Sequence, residues 1–198
     1  MSPPPSGGAG TKPLFYGKYR GVVIDNIDPM QIGRILAQVP AALGKVPTSW
    51  AMPSVPAAGV QAGVFVVPPI GSQVWIEFEQ GNPDYPIWTG GFWALAAEVP
   101  ALALAPAAVP PGQNIVLQTT GQNTLALSDA PPSPGVGGIT LQAPGGATIV
   151  VNDAGITISN GKGATITLVG PIVSINSGGL TVVGTTVTVD GVPLTPGP

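Results

Sequence analysis

The sequence predicts an all-β protein, in which an N-terminal barrel of the OB-fold type is followed by a C-terminal shaft, an intertwined trimeric β-helix. Helix signals are almost missing, because 29 Gly and 25 Pro residues punctuate the 198-residue chain and no segment keeps an apolar period of 3.6 residues. Strand-like alternation dominates the first half, and short apolar pairs recur through the second half.

The chain is poor in charged and chemically reactive side chains. Only 8% of its residues are charged, against about 25% in ordinary soluble domains, while 44% are hydrophobic. It contains no Cys and no His, which removes disulfides, the usual transition-metal ligands and His-based acid–base catalysis. The net charge of −3 argues against a nucleic-acid partner, since phosphate binding needs Lys and Arg. We therefore expect no catalytic residue, no cofactor and no metal site, and an oligomer that buries uncharged surface.

Residues 14–94 are expected to form the barrel, after a flexible N-terminus at 1–13. Apolar and β-branched runs predict strands at 19–27, 32–39, 64–67, 73–80 and 86–92. The 73–80 run alternates most clearly and places Val74, Ile76 and Phe78 on one face. Five strands in about 80 residues fit a small, partly open Greek-key barrel.

Residues 114–192 are expected to form the shaft, which an Ala- and Pro-rich linker at 95–113 joins to the barrel and a tail at 193–198 follows. The segment repeats an apolar-x-apolar unit flanked by Gly, Asn, Asp or Ser. Nine such pairs occur, and their side chains are expected to face the trimer axis: Ile115/Leu117, Leu125/Leu127, Ile139/Leu141, Ile149/Val151, Ile156/Ile158, Ile166/Leu168, Val173/Ile175, Leu180/Val182 and Val187/Val189.

The short pairs favour three chains over one. A strand with two inward apolar residues gives a single chain only a thin core, whereas three chains wound around one axis would bury every pair. We expect the backbone hydrogen bonds of such a shaft to run between chains. A single-chain β-solenoid or a second β-sandwich is the alternative that the pattern leaves open.

Five motifs in the first block resemble one known family. They are Tyr19-Arg20-Gly21-Val22-Val23, Asp28-Pro29 with Gly33-Arg34, Trp50-Ala51-Met52-Pro53, Pro69-Ile70-Gly71-Ser72-Gln73-Val74-Trp75-Ile76-Glu77-Phe78, and Gly81-Asn82-Pro83-Asp84-Tyr85-Pro86 with Gly90. In this order they resemble the OB domain of contractile-tail spikes, the family of phage baseplate assembly protein V and of the valine-glycine-repeat proteins of type VI secretion. The resemblance marks the following residues as scaffold: Gly21, Asp28, Pro29, Gly33, Arg34, Trp50, Pro53, Pro69, Gly71, Phe78, Gly81, Pro83, Asp84, Pro86 and Gly90.

The resemblance implies a structural protein and not an enzyme. It implies a homotrimeric spike at the baseplate of a contractile phage tail or phage-tail-like injection system, which contacts and pierces the target envelope when the sheath contracts. No hub domain precedes the barrel, so a separate trimeric hub protein is expected. Without histidine ligands for a metal-binding tip, the needle is expected to end bluntly near residues 190–195, where a separate tip protein would cap it. Assembly is expected in the cytoplasm, before incorporation into the tail baseplate of the particle.

Three other functions fit parts of the pattern. A trimeric fibre or adhesin would need a receptor-binding surface at the end of the shaft. A cell-wall hydrolase would need two carboxyl groups, but Glu77 and Glu79 on one face of an alternating strand indicate a solvated face. An OB-type oligonucleotide binder would need a basic groove beside aromatic residues that stack on bases. Four aromatic residues would be available for such stacking: Trp75, Trp88, Phe92 and Trp93.

Overall fold

The structure, a computed structural model, describes residues 13–104, 114–129 and 137–176, together with the backbone alone of 188–189 and 192–193. The chain divides into two compact units, residues 1–98 and 99–198. Within the described ranges, no helix is long and apolar enough to cross a membrane.

The first unit is built on a five-stranded sheet. Its elements in chain order are β1 (Tyr19–Asp25), β2 (Leu36–Gln38), α1 (Pro40–Leu43), β3 (Met52–Pro53), β4 (Ala58–Gly59), β5 (Ala62–Gly63), β6 (Gln73–Phe78) and β7 (Pro86–Gly91). The strand order in the sheet is β2-β1-β6-β7-β3, in which β3 runs parallel to β7 and the other neighbours are antiparallel. β4 and β5 pair with each other as a separate hairpin.

The two edges of this sheet meet, which gives the unit its barrel character. Ile35, just before β2, and Ala51, just before β3, exchange backbone hydrogen bonds of 3.2 and 2.8 Å. Beside them, Thr48 donates its N–H to the Ala37 carbonyl at 2.9 Å, and its hydroxyl accepts the Ala37 N–H at 3.0 Å. A small five-stranded sheet whose edges approach in this way is consistent with the predicted OB fold.

The core of the barrel follows the alternation of its strands. On β6, Val74, Ile76 and Phe78 are buried, while the residues between them are half-buried. Val23 of β1 and Trp88 of β7 belong to the same buried cluster. The predicted core face of β6 is therefore confirmed.

The first unit differs from the sequence predictions in several places. The short strands β3, β4 and β5 were not predicted, and β2 covers only part of the strand predicted at 32–39. Residues 64–67, predicted as a strand, form an irregular segment after the β4–β5 hairpin. Pro68 and Pro69 follow, and because they lack N–H groups they cannot extend a hydrogen-bonded ladder. The strand predicted at 73–80 ends at Phe78, and a 3-10 turn (Glu79–Gly81) begins there. Glu77 and Glu79 therefore do not share a strand face.

The second unit is a seven-stranded antiparallel meander. Its strands are β8 (Ile115–Gln118), β9 (Thr124–Ser128), β10 (Gly138–Gln142), β11 (Thr148–Asn152), β12 (Gly155–Ser159), β13 (Thr165–Val169) and β14 (Ile172–Ile175). Each strand pairs with the next one along the chain. Two 3-10 turns, Ala96–Glu98 and Ala101–Leu104, lie in the expected linker, and a small pair of strands, β15 (Thr188–Val189) and β16 (Val192–Pro193), lies near the C-terminus.

The hydrogen bonds of this sheet run within one chain, so the expectation of bonds between chains is wrong for β9–β13. Both edges of each of these strands are occupied by neighbours from the same chain. The physical reason is the length of the connections. Two residues separate β11 from β12 and β13 from β14, and five separate β10 from β11. Connections this short favour antiparallel hairpins over a path around a common axis.

The described strands carry seven of the nine predicted apolar pairs, one pair to each strand from β8 to β14. Leu180, Val182 and Val187 fall outside the described residues, and for Val189 the backbone alone is described. The expected flexible N-terminus and C-terminal tail also lie largely outside these residues.

Candidate functional site

The seven strands of the second unit place their apolar pairs on one face, in two rows. The register sets Ile139 between Leu127 and Val151, and it sets Leu141 between Leu125 and Ile149. We call the two rows together the apolar face. The first row is Ile115, Leu127, Ile139, Val151, Ile156, Leu168 and Val173, and the second is Leu117, Leu125, Leu141, Ile149, Ile158, Ile166 and Ile175.

The apolar face is largely uncovered in the single chain. Most of its side chains expose between 36% and 64% of their area, with the highest values on the outer strands β8 and β14. Leu125, Leu141 and Ile158 belong to the lining of an open trough of about 690 Å³ on this face. A contiguous apolar surface of this kind marks an interaction site. The structure thus places the predicted pairs of the described strands on one face.

The opposite face of the sheet carries small and polar side chains. The Thr124 hydroxyl donates to the Gln118 side chain at 3.2 Å, and the Ser128 hydroxyl donates to the Asn114 side chain at 2.6 Å. On this face Thr124, Ala126, Thr140 and Val150 are buried within the single chain. Its central column, in which each residue lies opposite the next, is Val116, Ala126, Thr140, Val150, Thr157, Thr167 and Ser174.

In the barrel, Asp28 organises the turn between β1 and β2. Its carboxylate accepts backbone N–H bonds from Met30 and Ile32 at 2.9 Å and from Arg34 at 3.2 Å. The Arg34 guanidinium donates to the same carboxylate through Nε at 2.9 Å and Nη2 at 2.6 Å. The Arg34 guanidinium, helped by the backbone donors, holds the pKa of Asp28 well below its usual range despite the opposing effect of burial. Asp28 is thus a buried, fully bonded anchor of the turn.

Two family models match the chain over these same units. Residues 19–93 match the Type VI secretion system/phage-baseplate injector OB domain, and residues 114–181 match the phage baseplate V C-terminal trimerisation domain. The chain belongs to the phage baseplate V family. The resemblance inferred from the sequence motifs is therefore confirmed, and the chain is a structural baseplate protein of the phage or type VI injector class. None of the curated proteins matches the chain significantly.

One of the two matches covers the strands that carry the apolar face. The trimerisation model spans β8–β14, the strands that carry this face, and it supports self-association of the chain as a homotrimer. The strand register gives a physical reason for self-association, because every copy of the chain presents the same two apolar rows. The family is structural, which fits the expectation that the chain is not an enzyme.

The scaffold residues expected from the resemblance lie at turns, at close contacts and in the barrel core. A Cβ on Gly21 would lie 3.0 Å from the Ile76 side chain, so a larger residue there would press on the barrel core. The Arg34 guanidinium lies over the Trp50 ring at 5.5 Å. Phe78 and Pro86 are buried, Pro53 lies on β3, and Gly90 lies on β7. The others lie in turns or at turn boundaries: Pro29, Gly33, Pro69, Gly71, Gly81, Pro83 and Asp84.

The four aromatic residues considered for base stacking do not form one surface. Trp88 is buried, and its Nε1–H donates to the Gly33 carbonyl at 3.0 Å. Trp75 and Phe92 pack together with ring centroids 4.7 Å apart, and the Arg20 guanidinium lies over both rings. Arg20 was missed as a partner of these rings, although strand pairing sets it directly opposite Trp75.

Acidic side chains do not gather into a reactive cluster in the described parts of the chain. No group of three or more Asp or Glu residues that could hold a metal ion is present there. Glu77 is paired with Lys18 at 2.7 Å, and the same ammonium group donates to the Thr89 hydroxyl at 2.8 Å. Glu77 thus has an ordinary surface partner.

Proposed function

We propose that this chain is the central spike of a contractile phage tail or phage-tail-like injection system. Three copies pack their apolar faces against one another to form the shaft. Their barrels dock on a separate trimeric hub, and the shaft points at the target envelope. Contraction of the sheath supplies the work, and the spike transmits force without catalysing a reaction.

The observation that carries this proposal is the uncovered apolar face. Full burial of an Ile, Leu or Val side chain is worth about 1.5–3 kcal/mol, so covering the exposed part of each side chain is worth about 1 kcal/mol. Burial of these side chains between copies therefore favours association.

The strands of the shaft are also free of charge. None of β8–β14 contains an Asp, Glu, Lys or Arg residue, and the charges of this unit within the described ranges, Asp129, Asp153 and Lys162, lie in the connections. A charged side chain in the centre of a bilayer costs at least about 2.5 kcal/mol. A surface of hydroxyl and amide groups lowers the cost of passing through lipid, which suits a piercing element.

The described strands set a minimum length for the shaft. Neighbouring strands lie about 4.8 Å apart, so seven strands span roughly 30 Å. We propose that a separate tip protein sits beyond the C-terminal strands. Assembly takes place in the cytoplasm, before the spike is built into the baseplate.

The first test is the mass of the purified full-length chain in solution. Light scattering is expected to give three times the 19.7 kDa of the chain. On a denaturing gel the unboiled sample is expected to run as the trimer and the boiled sample as the monomer, because an assembly with a large buried core unfolds slowly. A monomer in solution would refute the trimeric spike.

The piercing role is tested in assembled particles. A chain that ends after residue 136 keeps the barrel and loses β10–β14, so its particles are expected to contract without permeabilising target cells. Full-length particles in which only the opposite face is changed, at Thr157→Ser, serve as the control and are expected to retain activity. Equal permeabilisation by truncated and control particles would exclude piercing by the shaft, and glycan binding by the isolated shaft would favour an adhesin.

A further inference from the structure

A second uncovered apolar surface lies on the barrel, at the β4–β5 hairpin and the segment that follows it. Val60 at the tip of the hairpin exposes 97% of its area and Phe65 exposes 73%. Val64 and Val66 on either side of Phe65 are also exposed. We call these four residues the hairpin surface. A hairpin of two-residue strands is not stable by itself in water, so this element gains from a partner that packs on it.

The hairpin surface is held in position by the barrel. The Asn26 side chain donates to the Pro68 carbonyl at 3.0 Å and fixes the end of the segment. Val67 packs against the barrel core. One edge of the Phe65 ring lies against Gly33, since a Cβ there would be 3.3 Å from the ring. The exposed side chains are therefore presented by a fixed framework.

The sequence around the hairpin surface carries no charge. From Val46 to Ile76 the chain contains no Asp, Glu, Lys or Arg residue, although charged residues stand on both sides at Lys45 and Glu77. Near a three-fold axis each residue lies close to its own copies, so a charged side chain there would face like charges. An uncharged apolar surface avoids this repulsion and is typical of contacts between identical subunits.

We propose that the hairpin surface is where the barrels of the three copies contact one another, with Val60 near the three-fold axis. This inference rests on the homotrimer of the proposed function. The trimerisation domain ties three barrels together through the chain between the two units, and such tethering raises their effective mutual concentration to about the millimolar range. Packing of the apolar faces already offsets the loss of translational and rotational freedom on association. A small apolar contact between the tethered barrels therefore forms in every trimer.

The test uses the absence of cysteine from the full-length chain, so that one introduced thiol reports one position. Val60→Cys is oxidised under mild conditions and run on a non-reducing gel. We expect most of the protein to form a covalent dimer, in which at most two of the three chains of each trimer are joined. Lys45→Cys is the matched control, since Lys45 is also exposed on the barrel and lies outside the uncharged stretch. It is expected to stay largely uncrosslinked.

Light scattering on the same reduced samples separates this inference from the proposed function. A trimer whose Val60→Cys and Lys45→Cys variants cross-link to the same small extent overturns the barrel contact and leaves the spike intact. A monomer overturns both. Val60→Glu gives a second measurement, and it is expected to lower the unfolding temperature of the trimeric barrel while Val60→Gln leaves it nearly unchanged. Equal unfolding temperatures for these two variants would also overturn the contact.

Discussion

Replacing one residue of the apolar face with a charged one tests the role of this face most directly. Ile158 lies on β12, in the second row of the apolar face, and exposes 41% of its area in the single chain. Ile158→Asp puts three carboxylates into the proposed centre of the shaft. Ala154→Asp is the control, because Ala154 is exposed in the connection between β11 and β12, outside the apolar face.

The size of the effect follows from burial and charge. Each chain loses about 1 kcal/mol of apolar burial at Ile158. Each buried carboxylate adds several kcal/mol of desolvation, and the three like charges repel one another. A total of roughly 10 kcal/mol for each trimer corresponds to about seven powers of ten in the association equilibrium. The control carries the same charge into water and is expected to change this equilibrium little.

The assay is the mass of each variant in solution as a function of concentration. Ile158→Asp is expected to be monomeric at micromolar concentration, whereas Ala154→Asp stays trimeric. Lowering the pH is expected to restore part of the trimer of Ile158→Asp, because burial raises the pKa of the new carboxyl group and protonation removes its charge. If both variants form trimers of equal stability, the apolar face does not lie in the subunit contact, and the reasoning fails.

Two further substitutions test the barrel and the shaft separately. Asp28→Asn is expected to lower the unfolding temperature at pH 7. Because the pKa of Asp28 is lowered by folding, its charge stabilises the fold above the unfolded value of about 3.9 and this contribution is lost as the pH falls below it. The difference between wild type and variant should therefore shrink between about pH 4 and pH 2 in thermal melts, and a constant difference would contradict the assignment. Gly155→Ala is expected to destabilise the shaft, because Gly155 has a φ of 143° and an added Cβ would collide with the Leu168 carbonyl. Gly145→Ala, where the added Cβ meets open space, should leave the melting curve unchanged, and equal losses in the two variants would argue against the close approach.

The barrel could be predicted from the sequence only where a strand is long enough to show apolar residues at every second position. β6 has six residues, and its apolar residues at every second position correspond to its one buried face. β3, β4 and β5 have two residues each, too few for any period, and they were missed. Their positions depend on contacts between distant parts of the chain, such as the Ile35–Ala51 pair that joins the two sheet edges.

The sequence predicted the residues of the apolar face better than it predicted the strand pairing around them. An apolar-x-apolar unit fixes which side chains share a face, and the register places the pairs of the described strands on one face. That this face lines a trimer axis stays a prediction. The same unit does not say which chain supplies the neighbouring strand. That information lies in the connections, whose lengths of two and five residues favour hairpins within one chain.

The hairpin pairing also determines how folding and assembly are coupled in the shaft. Every strand from β8 to β14 pairs with its neighbour in sequence, so the hydrogen-bonded sheet consists of local contacts, which form quickly. In the proposed trimer the apolar face of each sheet gains burial from the other copies, in addition to the side chains that the sheet buries on its opposite face. We therefore expect the stability of the shaft to depend on protein concentration, as it does for obligate oligomers. Unfolding of the proposed trimer would have to expose all three apolar faces, so we expect the assembled shaft to unfold slowly.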